Sequence, residues 1–409
     1  MRSPLVVIFI TVFIDLVGFG VIIPTLPFIA RNFGASAAEI GLLMSIYSFM
    51  QFLFSPFWGS VSDRIGRRPT ILITLIGSAL SYFIFAFSNS LWLLFFARGL
   101  AGLFGGNIST AHAYIGDVTP PHERSKGMGL IGAAFGLGFV FGPLLGAGLG
   151  MIGQRLGDQP PFGISFAALA VGFLCLANCA FAWAALKESL PPEIRARARK
   201  KMSREPRFKT IWLQLRRPVA GSLMVVYFLS GLAMAQMEAM LIPYMADRFQ
   251  WGLEITMYGF AYIGVVMMFT QGLFVRLWMP KFGEPVILFA GLLMFAGSLF
   301  GLAAARDVVG IGIAMTFLAL GNGLMRPPNL GIISLLTPPE EQGRSMGVTN
   351  SLASLGRILG PLLGGYLYES ISGEAPFIGA GIVALVALLI TASKFGRLPS
   401  SGKSVGEVA

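Results

Sequence analysis

The chain has 409 residues, 55% of them hydrophobic and 12% charged, with a mean hydropathy of +0.75. A soluble domain carries about 25% charged residues, so this composition excludes an ordinary water-soluble fold and places the chain among membrane proteins. The formal net charge of +11 raises nucleic acid as a partner, and the positions of the basic residues then exclude it.

A membrane-crossing helix needs about 20 mostly apolar residues. Twelve such runs follow one another, at 5–30, 39–61, 69–89, 91–116, 125–151, 161–187, 218–246, 254–278, 285–304, 308–336, 344–371 and 374–395. They are far longer than barrel strands, so the expected fold is all-α, a bundle of twelve transmembrane helices.

The first run, "TVFIDLVGFGVIIPTLPF", holds a carboxylate, Asp15, ten residues after Leu5. At 1.5 Å per residue it lies about 15 Å into the span, near the bilayer midplane. The second run carries Tyr47 and Gln51 and ends in "GSVSDRIGRRPTI", where Asp63 is followed by Arg64, Arg67 and Arg68, with Gly59 and Gly66 allowing close contact and a tight turn. This reads as a charge latch at the mouth of two helices. The fourth run contains Arg98 and Asn107 and ends at Asp117. The fifth contains "GLGFVFGPLLGA" with Gly138, Gly142, Pro143 and Gly146. The sixth holds both cysteines, Cys175 and Cys179, four apart on one helical face, where a disulfide is not expected.

Residues 188–217 form the longest polar stretch, a basic linker expected to lie on an anionic inner leaflet. Beyond it, the seventh run contains Gln236, Met237 and Glu238, the tenth Arg326 before Pro327 and Pro328, and the eleventh Arg357. The proline pair is expected to break or bend its helix. A charge in mid-span costs at least about 2.5–3.5 kcal/mol on insertion scales. Asp15, Arg98, Glu238, Arg326 and Arg357 are therefore expected to face a bundle interior or water. A carboxylate taken out of water favours its neutral form, the minimal chemistry for carrying a proton, so Asp15 and Glu238 are proton-coupling candidates. Arg98 either biases a carboxylate or ties its helix to a neighbour. Arg326 and Arg357 either meet anionic substrate groups or act as counter-ions. Tyr47, Gln51, Asn107, Gln236 and Met237 are further substrate-cavity candidates.

With the N-terminus inside, the cytoplasmic segments hold 23 Lys/Arg and the opposite side four: Arg31, Arg155, Arg248 and Arg306. By the positive-inside rule both termini are cytoplasmic, and the net charge needs no nucleic acid. The chain also repeats itself. "TPPHERSKGMGLIGAAFGLGFVFGPLLG" (119–146) and "TPPEEQGRSMGVTNSLASLGRILGPLLG" (337–364) share 13 of 28 positions without a gap, at an offset of 218. The expected organisation is two pseudo-symmetric six-helix halves, 1–187 and 218–395, joined by the linker and followed by a tail at 396–409. Parallel repeats of this kind are a transporter design.

These segments carry a family resemblance. "GSVSDRIGRRPTI" resembles the signature loop of the major facilitator superfamily. "RGLAGLFGG", from Arg98, resembles its fourth-helix motif with a buried arginine. "GLGFVFGPLLGA" resembles its fifth-helix antiporter motif, with Ala147 in place of the last glycine. The opening run, with Asp15, Gly18, Pro24 and Pro27, is similar to the first helix of the twelve-helix drug:proton antiporters, in the tetracycline-exporter-like branch. One departure is plain: tetracycline exporters carry further acidic residues in the third and ninth helices, and 69–89 and 285–304 here hold no Asp or Glu. The resemblance implies that Asp117 joins the latch around Asp63. It also implies proton-coupled antiport by alternating access, exporting small amphipathic compounds. The alternative on the same fold is an importer or uniporter of a nutrient or organic anion.

No Walker A sequence is present, since Gly402-Lys403-Ser404 lacks the first glycine and a following helix. No hydrolase constellation occurs either, so an enzyme is not expected. No cofactor or metal is expected. The expected setting is the bacterial inner membrane, as a monomer.

Overall fold

The computed structural model describes residues 4–119, 124–191, 207–338 and 341–399. Half of the linker (192–206) and most of the tail (400–409) lie outside the described residues, as does the side chain of the candidate Asn107. The described chain is helical and, among the described residues, without strands. In chain order the helices are α1 (Pro4–Asn32), α2 (Ala37–Ile65), α3 (Arg67–Ala86), α4 (Leu91–Phe104), α5 (Asn107–Val118), α6 (Arg124–Leu156), α7 (Phe166–Ala185), α8 (Arg207–Leu215), α9 (Ala220–Phe249), α10 (Leu253–Phe269), α11 (Val275–Phe282), α12 (Glu284–Ala304), α13 (Val308–Leu335), α14 (Gln342–Ser370) and α15 (Ala375–Lys394). Taking α4 with α5 and α10 with α11 as single spans, ten segments among the described residues are long and apolar enough to cross a membrane. With α6 and α14, of 33 and 29 residues, there are twelve long segments. α8, of nine residues, is too short to cross a membrane.

The helices group into two compact units. One comprises Met1–Ser36, Ile46–Ser203 and Trp251–Ala261, the other Ala37–Ser45, Arg204–Gln250 and Tyr262–Ala409. Each repeat of the glycine-proline sequence serves the same purpose in its own unit. In the first, α6 lies against α1 through Gly138 and Gly142. A Cβ on Gly142 would stand 2.6 Å from the backbone of Gly20, and one on Gly138 would stand 2.9 Å from Leu16. In the second, α14 lies against α9 through Gly356 and Gly360. Cβ atoms there would stand 2.9 Å from Leu232 N and 2.6 Å from Leu232 O. Small residues let helix backbones approach where lipid gives no hydrophobic drive for association. The internal repeat is thus a repeated helix seam.

Two interruptions were not anticipated. The fourth span breaks at Gly105–Gly106, dividing α4 from α5. Gly105 lies 14 residues, or about 21 Å, from Leu91, deep in the span. The eighth span contains a five-residue π-helical turn, Thr270–Phe274, between α10 and α11. It rests against α13, where a Cβ on Gly323 would stand 2.7 Å from Thr270. Of the break or bend expected at Pro327–Pro328, the break does not occur, because α13 is helical through both prolines. A missing N–H need not end a helix whose neighbours re-satisfy the freed carbonyl. Both cysteines are free.

Replacing Gly142 or Gly360 with valine is expected to overpack its seam and cost about 1–3 kcal/mol. A lower thermal unfolding midpoint in detergent would show it. Gly148→Ala, where a Cβ meets nothing within 4 Å, is expected to leave that midpoint unchanged or raised.

Candidate functional site

Three groups of side chains draw the sequence candidates together. The first lies at the end of α2. Gly66 separates α2 from α3 with a φ of 113°, a conformation glycine adopts freely, and α3 begins without a side-chain cap from that residue. The cap comes from far along the chain. The Glu188 carboxylate accepts hydrogen bonds from the backbone N–H of Arg67 (2.9 Å) and Arg68 (3.2 Å), and from Leu190 (3.0 Å). A Cβ on Gly66 would strike that carboxylate. Glu188 therefore satisfies donors at a helix start and opposes the positive end of the helix dipole.

Of the three arginines in this loop, Arg67 is the buried one, at 7% exposure. Its Nη1 donates to Asp63 Oδ1 at 2.6 Å and to Ser62 Oγ at 2.7 Å, and its Nε to Asp117 Oδ2 at 3.1 Å. Asp117 also accepts from Ser189 Oγ at 2.9 Å. Arg68 donates through Nη2 to the Trp183 carbonyl at 2.6 Å, and Arg64 is exposed. A desolvated guanidinium held by two carboxylates is a network that any parting of α2, α3 and α5 must break. Gly59 takes no close part, since a Cβ there would meet nothing within 4 Å.

The second group lies deeper in the same unit. Arg98, on α4, is 3% exposed, and its guanidinium lies 4.6 Å from the centroid of the Tyr47 ring. Phe19 of α1 packs on that ring at 5.0 Å. The Arg98 Nε has no hydrogen-bond partner among the described residues. Tyr82, of α3, interacts electrostatically with Asp15, Tyr47 and Arg98. Its hydroxyl lies close to α1, where a Cβ on Gly18 would stand 3.3 Å from it. Asp15 is half-buried and also interacts with Cys175. The helix break below Arg98 is held by α2. Gln51 Nε2 donates to the Gly105 carbonyl at 2.8 Å, and Trp58 Nε1 to the Leu103 carbonyl at 2.6 Å. Gln51 and Tyr47, read from sequence as cavity candidates, are thus engaged in holding the α4–α5 break and the Arg98 guanidinium. One turn before Asp15, Asn178 Nδ2 donates to the Thr11 carbonyl at 2.9 Å and fastens α7 to α1.

The third group belongs to the other unit. Glu238, half-buried on α9, interacts electrostatically with Arg326 of α13 and Arg357 of α14, both also half-buried. Arg357 Nη2 contacts Ser354 Oγ at 3.2 Å. Two asparagines share the Arg326 face of α13, at i−4 and i+3. Asn322 and Asn329 are 1% and 2% exposed, and each leaves its Oδ1 without a partner among the described residues. Gln236 and Met237 do not join this group. Each is 1% exposed, and Gln236 Nε2 donates to the Pro376 carbonyl at 2.8 Å, fastening α9 to the start of α15.

The family model of the Major Facilitator Superfamily matches residues 8–305 and 272–408. The chain belongs to the major facilitator superfamily. It is a multi-pass membrane transporter of small molecules, not an enzyme. Among superfamily members, it is 33% identical to "Tetracycline resistance protein, class C" of Escherichia coli, covering 95% of this chain and 96% of that one. It is 31% identical to the class E protein of Escherichia coli, covering 97% of each. A further relative is "Major facilitator superfamily domain-containing protein 10" of Homo sapiens, 28% identical over 92% of this chain and 90% of that one. The crystal structure of the human organic anion transporter MFSD10 superposes with a TM-score of 0.71 at 25% identity, covering 96% of this chain and 100% of that chain.

Sequence reasoning missed Glu188, Tyr82 and the Asn322–Asn329 pair. Glu188 carries no motif, and its partners lie 121 and 120 residues away. Tyr82 sits in an apolar run like any packing aromatic. The asparagines do leave a sequence signal, two amides at helical spacing around an arginine.

Glu188→Ala is expected to free the first turn of α3. Hydrogen exchange of the Arg67 and Arg68 amides should then speed up, with a stability loss of about 0.5–2 kcal/mol, the range for a lost helix cap. Unchanged exchange at those amides would show that the carboxylate is not their cap.

Proposed function

We propose that this superfamily member is a proton-coupled antiporter that exports small amphipathic compounds by alternating access, from the inner membrane with both termini cytoplasmic. The observation that carries this reading is Glu238, a carboxylate in the middle of a span, within electrostatic reach of Arg326 and Arg357. An ionisable group at that depth marks an ion or proton pathway by default. Ionised, Glu238 neutralises the two arginines in part and offers an acceptor to a hydrogen-bond donor or cation. Protonated, it loses the charge and gives up one acceptor site to its own O–H, so a proton and such a substrate compete for one side chain. Asp15, beside Tyr82, is the matching carboxylate of the first unit. The tetracycline resistance relatives support a drug-like cargo, whereas the absence of Asp and Glu from 69–89 and 285–304 tells against tetracycline itself. The latch formed by Asp63, Arg67 and Asp117 would hold the cytoplasmic ends together in the outward-open state.

A second reading is favoured by the charge balance of the same group. Two arginines face one carboxylate, and a homologue of known structure is a human organic anion transporter. For an anionic substrate the logic reverses. Protonating Glu238 releases Arg326 and Arg357, so anion and proton move together.

The two readings differ in the sign of the proton movement. In proteoliposomes with a pH indicator inside, antiport makes substrate and proton move in opposite directions, and anion cotransport makes them move together. Under the first reading, Asp15→Asn and Glu238→Gln should each reduce gradient-driven flux to the rate without a gradient. Full gradient-driven flux in both variants would remove these carboxylates from the coupling. Arg326→Gln provides a separate check. It should raise the half-saturating concentration of an anionic substrate about 10- to 100-fold, as expected for losing a charge-assisted hydrogen bond of about 1.5–3 kcal/mol, and leave a matched cation unaffected.

A further inference from the structure

The short helix α8 lies just before the span α9. Its C-terminal end is pressed onto the first turn of α9, since a Cβ on Gly221 would strike the Leu215 carbonyl. α8 thus sits where a membrane span begins. Its inner side is anchored to the protein. Gln214 is 3% exposed and its Nε2 lies 3.5 Å from Glu341 Oε2, while Arg217, just beyond the helix, forms an ion pair with Glu341 at the start of α14.

Among the described residues the outer side has no such cover. Trp212 and Leu213 are 58% and 54% exposed. The Arg216 guanidinium lies 4.8 Å from the centroid of the Trp212 ring and, among the described residues, has no carboxylate partner. Arg217, the neighbouring cation, is already taken by Glu341. The segment from Arg207 to Arg217 contains four basic residues and no acidic one. An indole and a leucine at the end of a span, next to an exposed guanidinium, match the interface of a bilayer in which phosphate groups lie above acyl chains.

We propose that α8 is a docking surface for an anionic phospholipid of the linker-side leaflet. Arg216 takes the headgroup phosphate, and Trp212 and Leu213 rest among the glycerol and upper acyl carbons. A soluble protein partner would need a drier and larger apolar face than these two side chains make. The excess of positive charge selects an anionic lipid over a zwitterionic one.

The test uses the full chain, purified in detergent and titrated with phosphatidylglycerol or phosphatidylcholine, with retained lipid counted by native mass spectrometry. Wild type is expected to retain phosphatidylglycerol several-fold more than phosphatidylcholine. Arg216→Gln should reduce the two to the same level, and Lys281→Gln, an exposed basic residue elsewhere, should keep the preference. A full preference in Arg216→Gln, or no preference in wild type, would overturn the proposal. In membranes, a fluorophore on Leu213→Cys, with Cys175 and Cys179 replaced by serine, should be quenched by a lipid-borne quencher and shielded from an aqueous one. Quenching by the aqueous reagent alone would place this face in water and overturn the proposal independently of any effect of the arginine on folding.

Discussion

A charge inside hydrocarbon is costly unless other charges, dipoles or water compensate it, and much of this molecule is arranged around that cost. Five charged residues stand in mid-span: Asp15, Arg98, Glu238, Arg326 and Arg357. The protein compensates them within each unit. Arg98 lies over the face of Tyr47, with Tyr82 connecting its field to that of Asp15. Glu238 lies in the field of two arginines. In the second unit the glycine seam between α9 and α14 lets the helices of Glu238 and Arg357 come close together, and in the first the matching seam packs α6 against α1, the helix of Asp15. Packing and electrostatics are therefore one problem here, solved twice by the repeated sequence.

The two solutions are not chemically equal. In the first unit the guanidinium is almost wholly buried and faces aromatic rings. In the second, the carboxylate and both arginines are half-buried, and buried asparagines on the same face keep amide oxygens without partners among the described residues. The first arrangement resembles a fixed support, also engaged with the broken α4–α5 span. The second combines half-buried charges of both signs with open amide acceptors, which suits a group that exchanges one partner for another. Repetition preserved the helix seams and let the polar chemistry diverge.

The spans were legible because bilayer thickness sets the length of an apolar run, and the repeat was legible because its glycines recur at a fixed offset. The latch was legible as a group but not in detail. Arg64, Arg67 and Arg68 are equivalent as letters. Only the turn at Gly66 determines that Arg67 enters the protein while Arg64 stays at the surface. Glu188 was beyond local reading, since nothing near it points to a helix start more than a hundred residues away. The break in the fourth span was legible in principle from the paired glycines, whereas the helix continues through Pro327 and Pro328. Gln236 shows the limit of reading polarity alone. A polar residue in a span can serve the substrate or hold another helix, and the letter alone does not show the hydrogen bond from Gln236 to the Pro376 carbonyl.

Proton exchange at Glu238 is tested most directly by proton release when substrate binds to the purified protein in weakly buffered detergent solution. Wild type should release protons on adding a transported compound, and Glu238→Gln should bind the same compound without release. Equal release from wild type and Glu238→Gln would contradict a proton carried on that side chain.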